Sequence, residues 1–194
     1  MKQAFIQNLD KSLKCVGYKI KKEKFILIAE SIEKDVKFPF CGETSSKIHS
    51  IYQREIQDIP IQDKQAILLL NTRKMFCLNE NCTHKTFSER FDFVAPNGKK
   101  TNRLLDKIMN TSTKLSSVTA SALLKNSSIK VCKSSICDLL KKMPTIVDKS
   151  SVTKICVDDF AFRKRYTYGT VMVDLDTHKI IDIIDSRETK IVED

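Results

Sequence analysis

The chain has no apolar run approaching the ~18 residues that a transmembrane helix needs, so the reading contains no membrane span. Its first residues, Met1-Lys2-Gln3-Ala4-Phe5, lack the apolar core and small-residue cleavage site of a secretory signal. A disulfide framework is missing too: the seven cysteines are an odd number, scattered from Cys15 to Cys156. These absences leave a soluble, cytoplasmic protein with no membrane partner as the expectation. Acids are scarce in one stretch: residues 99–143 hold ten Lys/Arg against two acids, and residues 1–30 hold seven lysines against three acids. Residues 151–194 reverse the balance, with nine acids against seven basic residues, although the whole chain carries +10. A basic region clustered in this way is the electrostatic footprint of phosphate contact. A length of 194 residues allows one large domain or two or three small ones. Domains below ~70 residues need a metal, a disulfide or a partner to hold a core together.

The cysteines that do have a pattern lie between residues 25 and 95. Phe25-Ile26-Leu27-Ile28-Ala29 reads as a short strand, followed by a Pro39-Phe40-Cys41-Gly42 knuckle. A second knuckle, Cys77-Leu78-Asn79-Glu80-Asn81-Cys82, follows the apolar residues 66–70 and 75–76. Two cysteine knuckles on strand ends, held apart by a long hairpin, are the layout of a zinc ribbon, in which four donors take Zn²⁺ tetrahedrally. Cys41, Cys77 and Cys82 supply three donors; His84, two residues past Cys82, or His49 is available as a fourth, and loss of the site is the alternative. Cys15, Cys132, Cys137 and Cys156 have no metal-ligand spacing and read as packing residues.

Pro96-Asn97-Gly98 breaks the chain ahead of a helical stretch. Leu104, Leu105, Ile108, Met109 and Leu115 fit one face of a helix starting near Thr101. Ser116-Ser117 restarts a second helix, with Val118, Ala122 and Leu123 expected inward, and Asn126-Ser127-Ser128 ends it. A third carries Ile136, Leu139, Leu140 and Met143 at core-facing spacing and stops at Pro144. Three short helices with a polar turn before the third are the helix-turn-helix plan, whose last helix enters the major groove. Lys130, Lys133, Ser134, Ser135 and Lys141 are the candidate DNA contacts, with Asp138 also facing outward.

The final segment delivers an apolar strand, residues 155–157, into Asp158-Asp159, then Arg163-Lys164-Arg165. A hairpin follows, with arms 166–175 and 179–184 turning on Asp176-Thr177-His178. A strand ending in Asp and followed by a hairpin is how an RNase H-like fold opens. Carboxylates suit Mg²⁺, and two-metal phosphoryl transfer needs several of them to converge. Neighbouring strand residues point to opposite faces, so Asp158 and Asp159 cannot serve one metal site equally.

This segment resembles the start of the DDE catalytic domain in insertion-sequence transposases of the ISL-three type. Those carry D-D/E-aromatic-x-x-R-K and then Y-G-T-x-x-x-D-L, matched by Asp158, Asp159, Phe160, Arg163, Lys164, Tyr168, Gly169, Thr170, Asp174 and Leu175. The family's upstream module, C-P-x-C-G, H-S-x-Y-x-R and C-x4-C with T-F-x-E-R, is matched by Cys41, Gly42, His49, Ser50, Tyr52, Arg54, Cys77, Cys82, Thr86, Phe87, Glu89 and Arg90. Its first cysteine falls on Phe38, a departure from the pattern.

The resemblance implies a multi-domain α+β chain. It would comprise a basic arm (1–24), a zinc-ribbon-like β module (25–95), a three-helix helix-turn-helix domain (99–144) and the first strands of an incomplete RNase H-like fold (151–194). It also implies binding to the terminal inverted repeats of an insertion sequence, with Zn²⁺ in the β module. Mg²⁺ would belong only to a complete catalytic domain, whose first catalytic Asp the resemblance carries onto Asp158, with Asp159 the reserve. The second and third catalytic acids have no counterpart in residues 185–194, so this chain alone is expected to be inactive. A homodimer or an intact transposase is an expected partner. A non-enzymatic repressor of transposition is the alternative, and a zinc-ribbon adaptor for protein partners a third.

Overall fold

A computed structural model describes residues 2–143 and 149–188. Pro144, expected to terminate the third helix, and residues 189–194 lie outside the described set. The chain is a mixed α+β protein that divides into two compact units, Met1–Lys142 and Met143–Asp194.

The first unit is organised by one mixed sheet. Its strands are β1 (Leu13–Ile20), β2 (Lys24–Ser31), β5 (Ile48–Ile61), β6 (Lys64–Phe76) and β7 (Thr86–Ser88). The order is β1-β2-β6-β5, with β7 added to β6. β6 is the central strand, and Ala66, Ile67 and Leu68 are buried in succession as both faces of a central strand require. β5 and β6 form the long hairpin expected from the sequence, closed by Gln62 and Asp63, both at positive φ (49° and 59°). That turn geometry matches the twist of the flanking strands. β2 runs parallel to β6, pairing Lys24 with Gln65 through Glu30 with Asn71.

Residues 1–24 do not lie free as an arm. The helix α1 (Lys2–Gln7) and β1 close the sheet, with Ile6 and Leu13 buried beside Leu27, Ala29, Ile56, Leu68 and Leu70. The lysines of β1 occupy its exposed positions, so a strand that reads as a basic arm is amphipathic once paired.

Two short strands, β3 (Val36–Lys37) and β4 (Thr44–Ser45), make a separate small hairpin around the first knuckle. Three helices follow: α2 (Asn102–Ser112), α3 (Ser117–Asn126) and α4 (Lys133–Leu140). Thr101 caps α2 by accepting from Leu104 N, and Ser116 caps α3 by accepting from Thr119 N; each such cap contributes about 1 kcal/mol. Their common core is Leu104, Ile108, Ala120, Leu124, Ile129, Val131 and Ile136, with Ile59 of β5 packed against it. The inward face of α3 is therefore Ala120 and Leu124, whereas Val118 and Leu123, expected inside, are exposed, as is Leu115. Leu123 and Leu124 are adjacent, and the packing of Ile129 and Val131 selects the second of them.

The helices belong to the same compact unit as the sheet. Asp58 of β5 accepts from Thr101 Oγ1 at 2.7 Å and from Arg103 Nε at 2.8 Å, and Gln57 N donates to Lys99 O.

The second unit is an antiparallel sheet of β8 (Ile155–Arg163), β9 (Thr167–Asp174) and β10 (Ile180–Ile184). β8 runs well past the three apolar residues expected to form it.

Candidate metal centre and nucleic-acid surface

The first knuckle is fixed by backbone geometry. Gly42 adopts φ +76°, a left-handed conformation that glycine tolerates at little cost. Gly42 N donates to Phe38 O at 2.9 Å and Phe38 N to Glu43 O at 2.7 Å, closing the turn that presents Cys41. The second knuckle leaves β6 at Cys77, whose N–H donates to Lys85 O at 2.9 Å. Asn79 then shapes the loop, its Oδ1 accepting from Asn81 N and its backbone oxygen from Cys82 N.

The two knuckles bring three thiols together. The sulfurs of Cys41, Cys77 and Cys82 lie within 4.8 Å of one another, with Cys41 and Cys77 3.7 Å apart. Tetrahedral Zn–S bonds of about 2.3 Å place sulfurs roughly 3.8 Å apart, so this donor set fits zinc without rearrangement of that pair. The backbone N–H of Glu43 draws the Cys41 thiol below its usual range, while burial pushes the Cys77 thiol up. Among the described residues this is the one group of three or more metal-ligating side chains that converges.

Neither histidine joins it. His84 stacks flat on Phe40, with centroids 3.8 Å apart and planes 3° from parallel, and its Nδ1 lies 3.1 Å from Thr83 Oγ1. His49 Nδ1 is 3.0 Å from Ser50 Oγ, and its ring packs on Phe76. Phe38 is 1 % exposed and packs with Met75, Cys82 and Phe87.

One comparison with known proteins bears on this cluster. Residues 39–82 match the zinc-finger of transposase IS204/IS1001/IS1096/IS1165. The matched segment begins one residue after Phe38 and contains all three cysteines of this zinc-finger-like module. No curated protein and no solved structure matches the chain.

Several residues matched by the sequence motifs turn out to be fasteners of the module. Glu89 and Arg73 form a nearly buried ion pair, with Arg73 Nη2 to Glu89 Oε1 at 2.6 Å and Nε to Oε2 at 3.1 Å. Arg54 Nη2 donates to Ala95 O and Gly98 O, holding the loop that leads into α2. The partners Arg73 and Asp58 were not legible beforehand, because such pairs depend on strand register rather than local spacing.

On the helical face, Lys130, Lys133, Ser134 and Lys141 are exposed and Ser135 is half-buried. Cys132 is no packing residue: it is exposed at the N-cap of α4, its Sγ 3.2 Å from Ser134 Oγ and 3.1 Å from Ser135 Oγ. Those hydroxyls, with the Ser135 backbone, lower its pKa to about 7. Cys156 is likewise exposed.

In the second unit, Asp158 and Asp159 sit side by side on β8, opposite Val171 and Thr170. Asp159 Oδ2 accepts from Arg187 Nε at 2.9 Å, and its Oδ1 accepts from Thr170 Oγ1 at 3.3 Å. Among the described residues, Asp158 Oδ1 accepts only a local bond, from Asp159 N at 2.8 Å. The other acids serve the hairpin. Asp174 accepts from Thr177 Oγ1 and Asp176 N, which hold it below the usual carboxylate range, and Asp182 pairs with Lys149 at 2.6 Å.

Among the described residues, no helix is long and apolar enough to cross a membrane.

Proposed function

We propose that this chain is the DNA-recognition region of a DDE-type transposase and binds the terminal inverted repeats of its insertion sequence. The observation that carries this reading is the coincidence of the transposase zinc-finger match with three converged thiols in residues 39–82. In this reading residues 25–95 are a zinc-ribbon-like module and residues 99–144 a helix-turn-helix domain, with α4 in the major groove. Lys130, Lys133 and Lys141 meet phosphates, and Ser134 and Ser135 reach the backbone or base edges. Cys41, Cys77 and Cys82 would hold zinc, whose chemistry here is structural: it cross-links the two knuckles.

Residues 151–194 are assigned to the opening strands of an RNase H-like fold, with Asp158 as its Mg²⁺ ligand. Asp158 rather than Asp159 is chosen because Arg187 and Thr170 already engage Asp159. A non-enzymatic repressor that occupies the element ends draws on the same helical and thiol residues.

The test is DNA binding by the purified chain across a salt titration, with and without chelator. Tight binding specific to the inverted repeats, weakening steeply with salt, is the expected result. Weak binding that is blind to sequence in every condition overturns the proposal.

A further inference from the structure

The sheet tips and the turn between α3 and α4 meet in a cleft of about 680 Å³. Lys22 and Lys24 reach it from the β1–β2 turn, Lys64 from the β5–β6 turn, and Lys125 and Lys130 from the two sides of the helical turn. Two acids, Glu23 and Asp63, share the lining, so five ammonium groups face two carboxylates. Among the described residues none of these five lysines is in an ion pair. The excess of ammonium over carboxylate leaves the lining net positive, which favours a polyanionic partner.

The cleft is held in shape by its own backbone. Ser128 Oγ donates to Asp63 O at 2.6 Å, fastening the helical turn to one sheet tip. Gln65 N donates to Glu23 O at 2.9 Å, fastening the two tips to each other. With its amide oriented to satisfy both bonds, Gln57 accepts from Lys130 N at 3.0 Å and donates to Lys130 O at 3.3 Å. Cys132, at the N-cap position of α4, also lines the cleft, so the cleft abuts the end of α4 assigned to the groove.

We propose that this cleft seats the sugar–phosphate backbone of duplex DNA, so that the contact surface runs from the helices onto the two hairpin tips of the sheet. The inference rests on the DNA-binding reading above and extends it to Lys22, Lys24 and Lys64, which no helix carries. A helix inserted by its N-terminal end brings the flanking phosphate strand past the turn that precedes it. Here that turn is not alone but continues into a lysine-lined wall.

The experiment is a salt titration of the full chain on a duplex of about three helical turns, comparing wild type with Lys22→Gln/Lys24→Gln/Lys64→Gln. Each lost phosphate contact removes about 0.9 from the slope of log K against log salt, so the triple variant is expected to bind with a slope shallower by roughly 2 to 3. The triple Lys→Arg variant, which keeps the charge, should keep the slope, and circular dichroism checks that both variants fold. An unchanged slope in the glutamine variant, with wild type binding normally, overturns this inference alone. Failure of wild type to bind DNA overturns the underlying reading and this inference with it. Tighter binding to an RNA duplex of the same sequence overturns the assignment of the cleft to DNA.

Discussion

A phenylalanine at position 38 puts an apolar ring on the knuckle that carries Cys41, and its burial with Met75, Cys82 and Phe87 leaves that position without a donor. Structural zinc takes four ligands, so three thiolates would hold it less firmly than four. Phe38→Cys is therefore expected to tighten zinc binding by roughly tenfold or more, about 1.4 kcal/mol, measured by competition with a chromophoric chelator. An unchanged affinity would mean that the fourth ligand already comes from elsewhere. Cys132 makes a second residue-scale prediction. Its pKa is lowered to about 7, chiefly by the Ser134 and Ser135 hydroxyls, so the reactive thiolate is present above that pH and disappears as pH falls through it. Alkylation at Cys132, followed by mass spectrometry, should show a midpoint near pH 7, and Ser134→Ala/Ser135→Ala should move it upward. Nothing local announced this thiol: Ser134 and Ser135 follow it at ordinary spacing, and only the local geometry at the start of α4 turns their hydroxyls onto the sulfur.

At the scale of single elements, Glu89, just after β7, and Gly169, in β9, are positions where a substitution has a defined cost. Glu89 is 4 % exposed, and Arg73→Ala would leave its carboxylate buried without a counter-charge, with only the backbone N–H of residue 73 at 3.4 Å. Breaking such a pair costs about 3 kcal/mol, which chemical denaturation should register, and Arg73→Lys should recover part of it. In β9, a Cβ on Gly169 would meet Ile184 O and Phe162 Cε2, both at 2.5 Å. Gly169→Ala is thus expected to destabilise the second sheet by about 1–3 kcal/mol, read as faster amide exchange across residues 155–184. Unchanged exchange would place Phe162 elsewhere. The β5–β6 hairpin, both knuckles and the starts of α2 and α4 were legible because each is written in local signals: alternation, glycine at a turn, a capping threonine. β1 and the inward face of α3 were not. β1 conceals its alternation behind lysines and the bulge between Cys15 and Gly17, and α3 offers two adjacent leucines between which only tertiary packing chooses.

For the molecule as a whole, the thiol cluster lies in the unit Met1–Lys142 and the carboxylate strand in the unit Met143–Asp194. Removing metal is then expected to speed amide exchange around residues 36–45 and 75–88 while leaving residues 155–184 unaffected. Equal acceleration in both units would show that they unfold as one. The order of the strands has a further consequence, for synthesis of the chain. β2 is complete at Ser31, but its parallel neighbour begins only at Lys64. At about 5–20 residues per second, a nascent chain carries the Lys24–Ser31 edge with its hydrogen-bonding groups unanswered for several seconds before β6 emerges. During that interval the ribosome exposes an apolar strand that the finished protein never shows, a natural point of capture for a chaperone.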